Sequence, residues 1–274
     1  MKSIFLLFHS WFNRKKQPPL PSTYGSFKIG HRGACGHRPE NTMASFKKAL
    51  EYQVDFIEID IQMSFDGKIV VFHDSTLERT TNGKGRVRDF TYEELAKLDA
   101  GGWYGERFKG ERIPLLSTVL DEILPFAGVL IEIKHPEHYP EIELILAHEL
   151  KNRLQVSFAS PKVMVQSFNI TSIKKFHELL PEVPVGILIK HNPKRISNKA
   201  LLNYSQFASF INPKRTMMNE KLKQRIQAYG MMAFTWTVNS QKQIHSFEKM
   251  KLDGIATDFP EYFSLNEKNN GPVT

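Results

Sequence analysis

A single cysteine, Cys35, stands among the 274 residues, so no internal disulfide bond can form. There is no internal repeat, and no G-x-G-x-x-G motif follows the first strand-like segment, which leaves a doubly wound, dinucleotide-binding sheet without support. The apolar segment at the N-terminus is shorter than the about 20 residues that a transmembrane helix needs. The lone cysteine fits a reducing compartment, and we expect a cytoplasmic protein.

The chain also has fewer acidic than basic residues. Its formal net charge is +8, a balance that favours anionic partners such as phosphate compounds, nucleic acid or anionic lipid surfaces. We expect no nucleic-acid partner, because no recognisable basic recognition motif or aromatic platform accompanies the charge. Hydrophobic residues make up 41% of the chain, which is enough for one large α/β domain or two small ones.

Residues 1–22 differ in composition from the rest of the chain. An apolar and aromatic run, "MKSIFLLFHSWF", is followed by a basic cluster and by a proline-rich linker. Because the basic cluster follows the apolar run and no small-residue cleavage site appears, the segment does not fit a signal peptide. Two interpretations of residues 1–16 remain open: an interfacial membrane helix next to anionic headgroups, or a helix packed against the domain.

Strand-like and helix-like segments alternate from residue 27 onward. The apolar strand-like runs are "FKIGHRG", "DFIEIDIQM", "VLIEIKH", "VMVQSF", "VGILIK", "SFINP", "MAFTWTVN" and "GIATDF". Their alternation with helical segments predicts a parallel sheet covered by helices. When the additional run "KIVVFHD" is left out, the strands number eight, which predicts an α/β fold of the (β/α)₈ TIM-barrel type over residues 23–262. A doubly wound open sheet is the alternative.

One segment interrupts this alternation. Residues 74–113 contain many glycines and charged residues and little strand-like sequence, which predicts an insertion after the second barrel strand. Residues 263–274 are predicted to be a polar C-terminal tail.

Acidic side chains lie along two of the predicted strands, near the C-terminal ends, where barrel active sites are built. Glu58 and Asp60 are two residues apart, so both can point into the barrel mouth, and Glu132 follows on the next barrel strand. Carboxylates in an apolar strand are costly unless they are paired or bind a metal. Three of them without cysteine ligands predict a site for a hard divalent cation, Mg²⁺ or Ca²⁺.

Basic and titratable side chains lie at the same strand ends. Arg32 and Lys134 supply positive charge for a bound anion. His31 and His73 are the natural proton carriers at neutral pH. A single histidine here would more often be structural, but two of them beside three carboxylates and two cations favour a catalytic site. The other polar or aromatic residues at predicted strand ends are Gln166, Trp236 and Asp258.

The pattern resembles the glycerophosphodiester phosphodiesterase family from about residue 27 to 262. The motifs that carry the resemblance are "HRG" and "PENT" at 31–42, "EID" at 58–60, "HDSTLERTTNGKG" at 73–85, "IEIK" at 131–134, "WTVN" at 236–239 and "DGIATDFPE" at 253–261. The resemblance implies a TIM barrel with a small insertion after the second strand. It also implies metal-dependent cleavage of a glycerophosphodiester, a small-molecule substrate, to sn-glycerol 3-phosphate and an alcohol.

The resemblance also implies roles for individual residues. The implied acid–base pair is His31 and His73. The implied metal ligands are Glu58, Asp60 and Glu132, and the implied substrate contacts are Arg32, Lys134 and Trp236. Glu40 and Asn41 are expected to support the first histidine and the floor of the site. Within the same loop, Cys35 is interpreted as a small structural residue, and His37 and Arg38 as solvent-exposed residues or contacts to the alcohol.

Two alternatives to this activity remain, and the first of them uses the same residues. A lysophospholipase D-type phosphodiesterase would share the scaffold, and the apolar N-terminus makes a lipid-like substrate conceivable. A non-enzymatic module that binds metal or phospholipid would have no need of the complete acid–base set. The nucleophile, water or the glycerol 2-hydroxyl, is left open by the sequence.

Overall fold

The computed structural model describes residues 26–154, 162–190 and 196–263. Eight parallel strands form a closed barrel, since β1 pairs with both β2 and β9. The barrel strands are β1 (Phe27–Gly30), β2 (Phe56–Met63), β4 (Gly128–Ile133), β5 (Val163–Ser167), β6 (Val185–Ile189), β7 (Phe210–Pro213), β8 (Met232–Thr235) and β9 (Gly254–Thr257). The predicted TIM barrel is therefore confirmed, and an open sheet is excluded.

Within the described ranges, eight α-helices accompany the strands, and all but Tyr92–Leu95, which lies in the 74–113 segment, cover the outside of the barrel. They are α1 (Met43–Glu51), α2 (Tyr92–Leu95), α3 (Leu116–Ile123), α4 (Ile142–Leu154), α5 (Ile170–Leu179), α6 (Asn198–Tyr204), α7 (Glu220–Ala228) and α8 (Gln241–Lys249). Side chains cap several of their N-termini: Thr42 accepts a hydrogen bond from the amide of Ser45 at the start of α1, and Asn169 does the same for Ser172 in α5. No helix within the described ranges is both long and apolar enough to cross a bilayer.

The barrel interior below the site is filled by aromatic rings. Phe210 and Phe234 stack with centroids 4.7 Å apart, and Phe56 belongs to the same buried cluster. Glycines opposite these rings make room for them: a Cβ at Gly186 would lie 1.9 Å from the Phe210 ring, and one at Gly128 would lie 2.3 Å from the Phe56 ring. The barrel is therefore a packed core, and a ligand can enter only from the strand ends.

A ninth strand lies outside the barrel. β3 (Ile69–Val71) pairs antiparallel with the C-terminal residues of β2. It contains part of the run "KIVVFHD", which is not counted among the eight predicted barrel strands. Residues 74–113 follow it with α2 and two short 3₁₀ helices, Val87–Asp89 and Glu106–Phe108, and no strand of their own. An apolar cluster of their own stabilises them against β3; its members include Val70, Leu77, Val87, Leu95 and Ile113. The predicted N-terminal segment and nearly all of the predicted tail lie outside the described residues.

Candidate active site

Three buried carboxylates converge at the C-terminal end of the barrel. Glu58 and Asp60 come from β2 and Glu132 from β4, and the strand register places Asp60 directly beside Glu132. Each of the three residues is at most 6% exposed, and each offers an oxygen that lies within 4.8 Å of those of the other two. The same-face pair Glu58 and Asp60 on β2 and the single Glu132 on the neighbouring strand β4 therefore meet at one place.

Two cations partly balance these carboxylates. Arg32 Nε lies 3.2 Å from Asp60 Oδ2, and Lys134 Nζ lies 2.7 Å from Glu132 Oε1 and 3.6 Å from Asp60 Oδ1. Burial raises the pKa of Glu132 to about 7, although Lys134 opposes this shift. Burial and the neighbouring Asp60 also raise the pKa of Glu58, whereas Arg32 and Lys134 outweigh burial at Asp60 and hold its pKa below the ordinary value.

The loop after β1 positions several of these groups through its backbone. Arg32 has a left-handed φ of 52°, and its amide donates to Glu58 Oε2 over 3.0 Å. Asn41, with a φ of 55°, donates from Nδ2 to Asp60 Oδ2 over 2.9 Å. Glu40 accepts from Arg32 Nη1 at 2.7 Å. Glu40 and Asn41 therefore hold Arg32 and Asp60 at the floor of the site, and their support of the first histidine stays a prediction.

The first histidine has a carboxylate partner from the other end of the chain. His31 Nδ1 lies 2.6 Å from Asp258 Oδ1, and the same oxygen accepts from Cys35 Sγ at 3.0 Å. Asn239 donates to the second Asp258 oxygen. When His31 donates from Nδ1, its Nε2 is left to exchange a proton with a bound molecule. Asp258 is one of the polar residues at the predicted strand ends, and the sequence pattern alone indicates no role for it.

The second histidine has a similar arrangement. His73 Nδ1 lies 2.5 Å from Asp74 Oδ1. Arg79 donates from Nε to Asp74 Oδ2 at 2.5 Å, and from Nη1 and Nη2 to the carboxylate of Glu40. Burial lowers the pKa of His73, so the ring favours its neutral form more than an exposed histidine would. Each of the two histidines therefore pairs with an aspartate that is itself hydrogen-bonded to a further residue.

A buried amide behind His73 was missed by the sequence analysis. Gln62 on β2 donates from Nε2 to the carbonyls of Phe72 and Asp74, over 2.9 and 2.5 Å. Its Oε1 accepts from the hydroxyl of Tyr139 over 2.7 Å. One side chain therefore holds the backbone on both sides of His73 and ties it to the segment that follows β4. The position of Gln62, two residues beyond Asp60 on the same strand face, is the signal that could have identified it.

These groups surround a cavity of about 630 Å³. Seven of the predicted site residues line it: His31, Arg32, Glu58, His73, Glu132, Lys134 and Trp236. The other predicted residues, Glu40, Asn41 and Asp60, act behind this lining through the contacts given above. Trp236 donates from Nε1 to the carbonyl of Asn212 at 3.0 Å and contacts Phe168 edge-on, with ring centroids 5.6 Å apart. Both rings line the cavity, where they form an aromatic wall.

The remaining residues of the first loop lie away from this lining. Burial raises the pKa of the Cys35 thiol, which keeps it protonated and fits its interpretation as a small structural residue. His37 pairs with Glu261 at 2.7 Å, and the Arg38 guanidinium lies 5.2 Å from the centroid of the Phe108 ring. Both side chains are half-buried, so their interpretation as solvent-exposed residues is wrong.

Comparisons with known proteins agree with this geometry. The sequence profile of the "Glycerophosphoryl diester phosphodiesterase family" matches residues 31–262. The Bacillus subtilis protein YhdW is 42% identical over 243 residues, covering 88% of this chain and 98% of that protein. A glycerophosphodiester phosphodiesterase of the same organism is 35% identical over 251 residues, covering 88% of this chain and 86% of that enzyme. An Oleispira antarctica phosphodiesterase, solved in complex with its product sn-glycerol-3-phosphate, superposes with a TM-score of 0.81 at 26% identity, covering 90% of this chain and 98% of that one.

Proposed function

The chain belongs to the glycerophosphoryl diester phosphodiesterase family, and from that premise we propose that it hydrolyses glycerophosphodiesters to sn-glycerol 3-phosphate and an alcohol. The reaction class is that of a phosphoric diester hydrolase. The product sn-glycerol-3-phosphate bound to the Oleispira antarctica enzyme supports the choice of product. The observation that carries the proposal is the cavity itself, in which two carboxylate-paired histidines face a cluster of carboxylates and cations.

The residues of the site fit a divalent cation. Glu58, Asp60 and Glu132 offer only oxygen ligands, which hard cations such as Mg²⁺ and Ca²⁺ prefer. Asp60 Oδ1 is buried without a hydrogen-bond partner, so it has a lone pair free for such an ion. When bound, the cation would neutralise charge on the phosphoryl oxygens.

The two histidines are proposed to exchange protons with the substrate. One accepts the proton of the nucleophile and the other protonates the departing alkoxide. The pairing of each Nδ1 with Asp258 or Asp74 supports this role, because it orients the imidazole and leaves Nε2 to exchange the proton. Both assignments of acid and base agree with this geometry.

Positive charge and an aromatic wall are proposed to bind the diester. Arg32 and Lys134 line the cavity and carry the charge that a phosphodiester needs, while their carboxylate partners hold them in place. Trp236 and Phe168 offer apolar surface to the carbon skeleton of the glycerol or the alcohol.

The proposal is tested by measuring release of glycerol 3-phosphate from a panel of glycerophosphodiesters, with lysophosphatidylcholine as the lipid-like comparison. We expect turnover of the glycerophosphodiesters, loss of turnover in EDTA, and recovery when Mg²⁺ or Ca²⁺ is restored. Faster turnover of lysophosphatidylcholine would favour the lysophospholipase D alternative. Full activity in EDTA would contradict the cation, whereas no activity on any diester would contradict the proposed function.

A further inference from the structure

A second group of possible metal ligands lies where the chain leaves β4, one residue beyond Lys134. It consists of His135, Glu137 and His138, around the short 3₁₀ helix Pro136–His138, and we call it the His-Glu-His cluster. The three residues are exposed, unlike the buried carboxylates of the proposed reaction site. Their donor atoms lie within 4.8 Å of one another, so they can meet at one ion.

The spacing within the cluster suits a transition-metal ion. His135 Nδ1 lies 3.4 Å from Glu137 Oε1, close to the edge of about 3.3 Å in a tetrahedral site with bonds of 2.0–2.1 Å. The imidazole rings of His135 and His138 stack with centroids 5.5 Å apart and an interplanar angle of 19°, so the two ring planes are nearly parallel. His138 completes the set, since the donor atoms of all three residues lie within 4.8 Å of one another.

The donor chemistry separates this cluster from the three buried carboxylates. Imidazole nitrogen is a favoured ligand for Zn²⁺, Cu²⁺ and Ni²⁺, whereas Mg²⁺ and Ca²⁺ take oxygen. We propose that His135, Glu137 and His138 form a second metal site, which binds a Zn²⁺-class ion at the mouth of the cavity. A solvent molecule fills the fourth position of such a three-ligand site.

The His-Glu-His cluster lies at the edge of the cavity described above. His135 and Glu137 line the same cavity as the two catalytic candidates, His31 and His73. An ion held there would place positive charge at the mouth, where an anionic diester enters. The proposal concerns binding alone, so it stands or falls independently of the proposed function.

The test is calorimetric titration of the full chain with Zn²⁺ in the presence of excess Mg²⁺, which competes for the buried carboxylates. We expect that His135→Ala and His138→Ala each weaken Zn²⁺ binding by at least about tenfold, or about 1.4 kcal/mol. His148→Ala is the matched control, because this histidine is exposed on α4 and belongs to no cluster of metal ligands among the described residues. Melting temperatures of the variants without metal check that each remains folded.

A spectroscopic measurement identifies the ligands directly. Cu²⁺ added to the Mg²⁺-loaded protein should show nitrogen hyperfine coupling in its electron paramagnetic resonance spectrum, and the coupling should be lost in the His135→Ala, His138→Ala double variant. A Zn²⁺ isotherm that is the same in the parent and in both single variants would overturn the proposal. Loss of Zn²⁺ binding in Glu58→Gln with retention in the double variant would do so as well, because the ion would then occupy the buried carboxylates.

Discussion

Replacing Gln62 by Met should both destabilise the protein and slow turnover. The methionine fills a similar volume but removes both donated hydrogen bonds, to the carbonyls of Phe72 and Asp74, and the acceptor for the Tyr139 hydroxyl. Leaving a buried polar group unsatisfied costs about 1–3 kcal/mol. The carbonyl of Asp74 is closer to solvent and can recruit water, so we expect a loss of about 2–5 kcal/mol in the free energy of unfolding.

The effect on turnover follows from the position of the two carbonyls. They flank His73, so their release allows the imidazole to move relative to the substrate. A misplacement of about 1 Å costs a catalytic group roughly 100-fold in rate. We therefore expect kcat to fall about 10- to 100-fold while KM changes little, because Arg32 and Lys134 keep their own partners.

Thermal unfolding and steady-state kinetics measure the two effects. Tyr139→Phe is the graded control, since it removes one of the three hydrogen bonds and leaves both carbonyls held. Its melting temperature should fall less than that of the Gln62→Met protein, and its kcat should stay closer to the parent value. A Gln62→Met protein with a lowered melting temperature and unchanged kcat would show that Gln62 is only a stabilising residue and does not position His73.

Two further outcomes are expected at the site. Replacing His31 or His73 by Ala should lower kcat by roughly 10²–10⁴-fold with a smaller effect on KM, and near-parental turnover in one variant would remove that histidine from the mechanism. In EDTA, Glu132→Gln should raise the melting temperature above pH 7. The pKa of Glu132 is raised to about 7 in the folded protein, so folding disfavours the ionised carboxylate. The free energy of unfolding of the parent therefore falls as the pH rises from about 4.5 to 7, by about 3 kcal/mol at most. Mg²⁺ should then stabilise the parent but not the variant, and an equal Mg²⁺ response in both would refute Glu132 as a ligand.

The fold was predictable because the barrel strands are apolar enough to be recognised one at a time. The pair of carboxylates on β2 was predictable for a related reason, since residues two apart on a strand share a face. The pairing of His31 with Asp258, in contrast, depends on the closure of the barrel. His31 and Asp258 each follow one member of the pair Gly30 and Thr257, which are neighbours only because β1 pairs with β9.

Other features depend on side-chain contacts that no single segment encodes. The hydrogen bonds of Gln62 join β2 to the segment after β3 and to Tyr139, which lies 77 positions away in the chain. His37 is interpreted from the sequence as a solvent-exposed residue or a contact to the alcohol, yet in the structure Glu261 approaches it from beyond β9. The His-Glu-His cluster depends on the turn at His135, whose left-handed φ of 44° is not signalled by a glycine.

The segment between His73 and Pro114 begins at the end of β3 and returns to the side of the same strand. The amide of Val71 donates to the carbonyl of Pro114 over 2.9 Å, and Val70 forms a bridge with Leu115. When the ends of a segment already lie together, lengthening it is cheap, since each doubling of a flexible loop costs only about 0.6 kcal/mol. This part of the chain can therefore grow, shrink or be exchanged during evolution without rebuilding the barrel. Because Arg79 lies within it and holds both Asp74 and Glu40, such an exchange keeps the partner of His73 in place only where this arginine is retained.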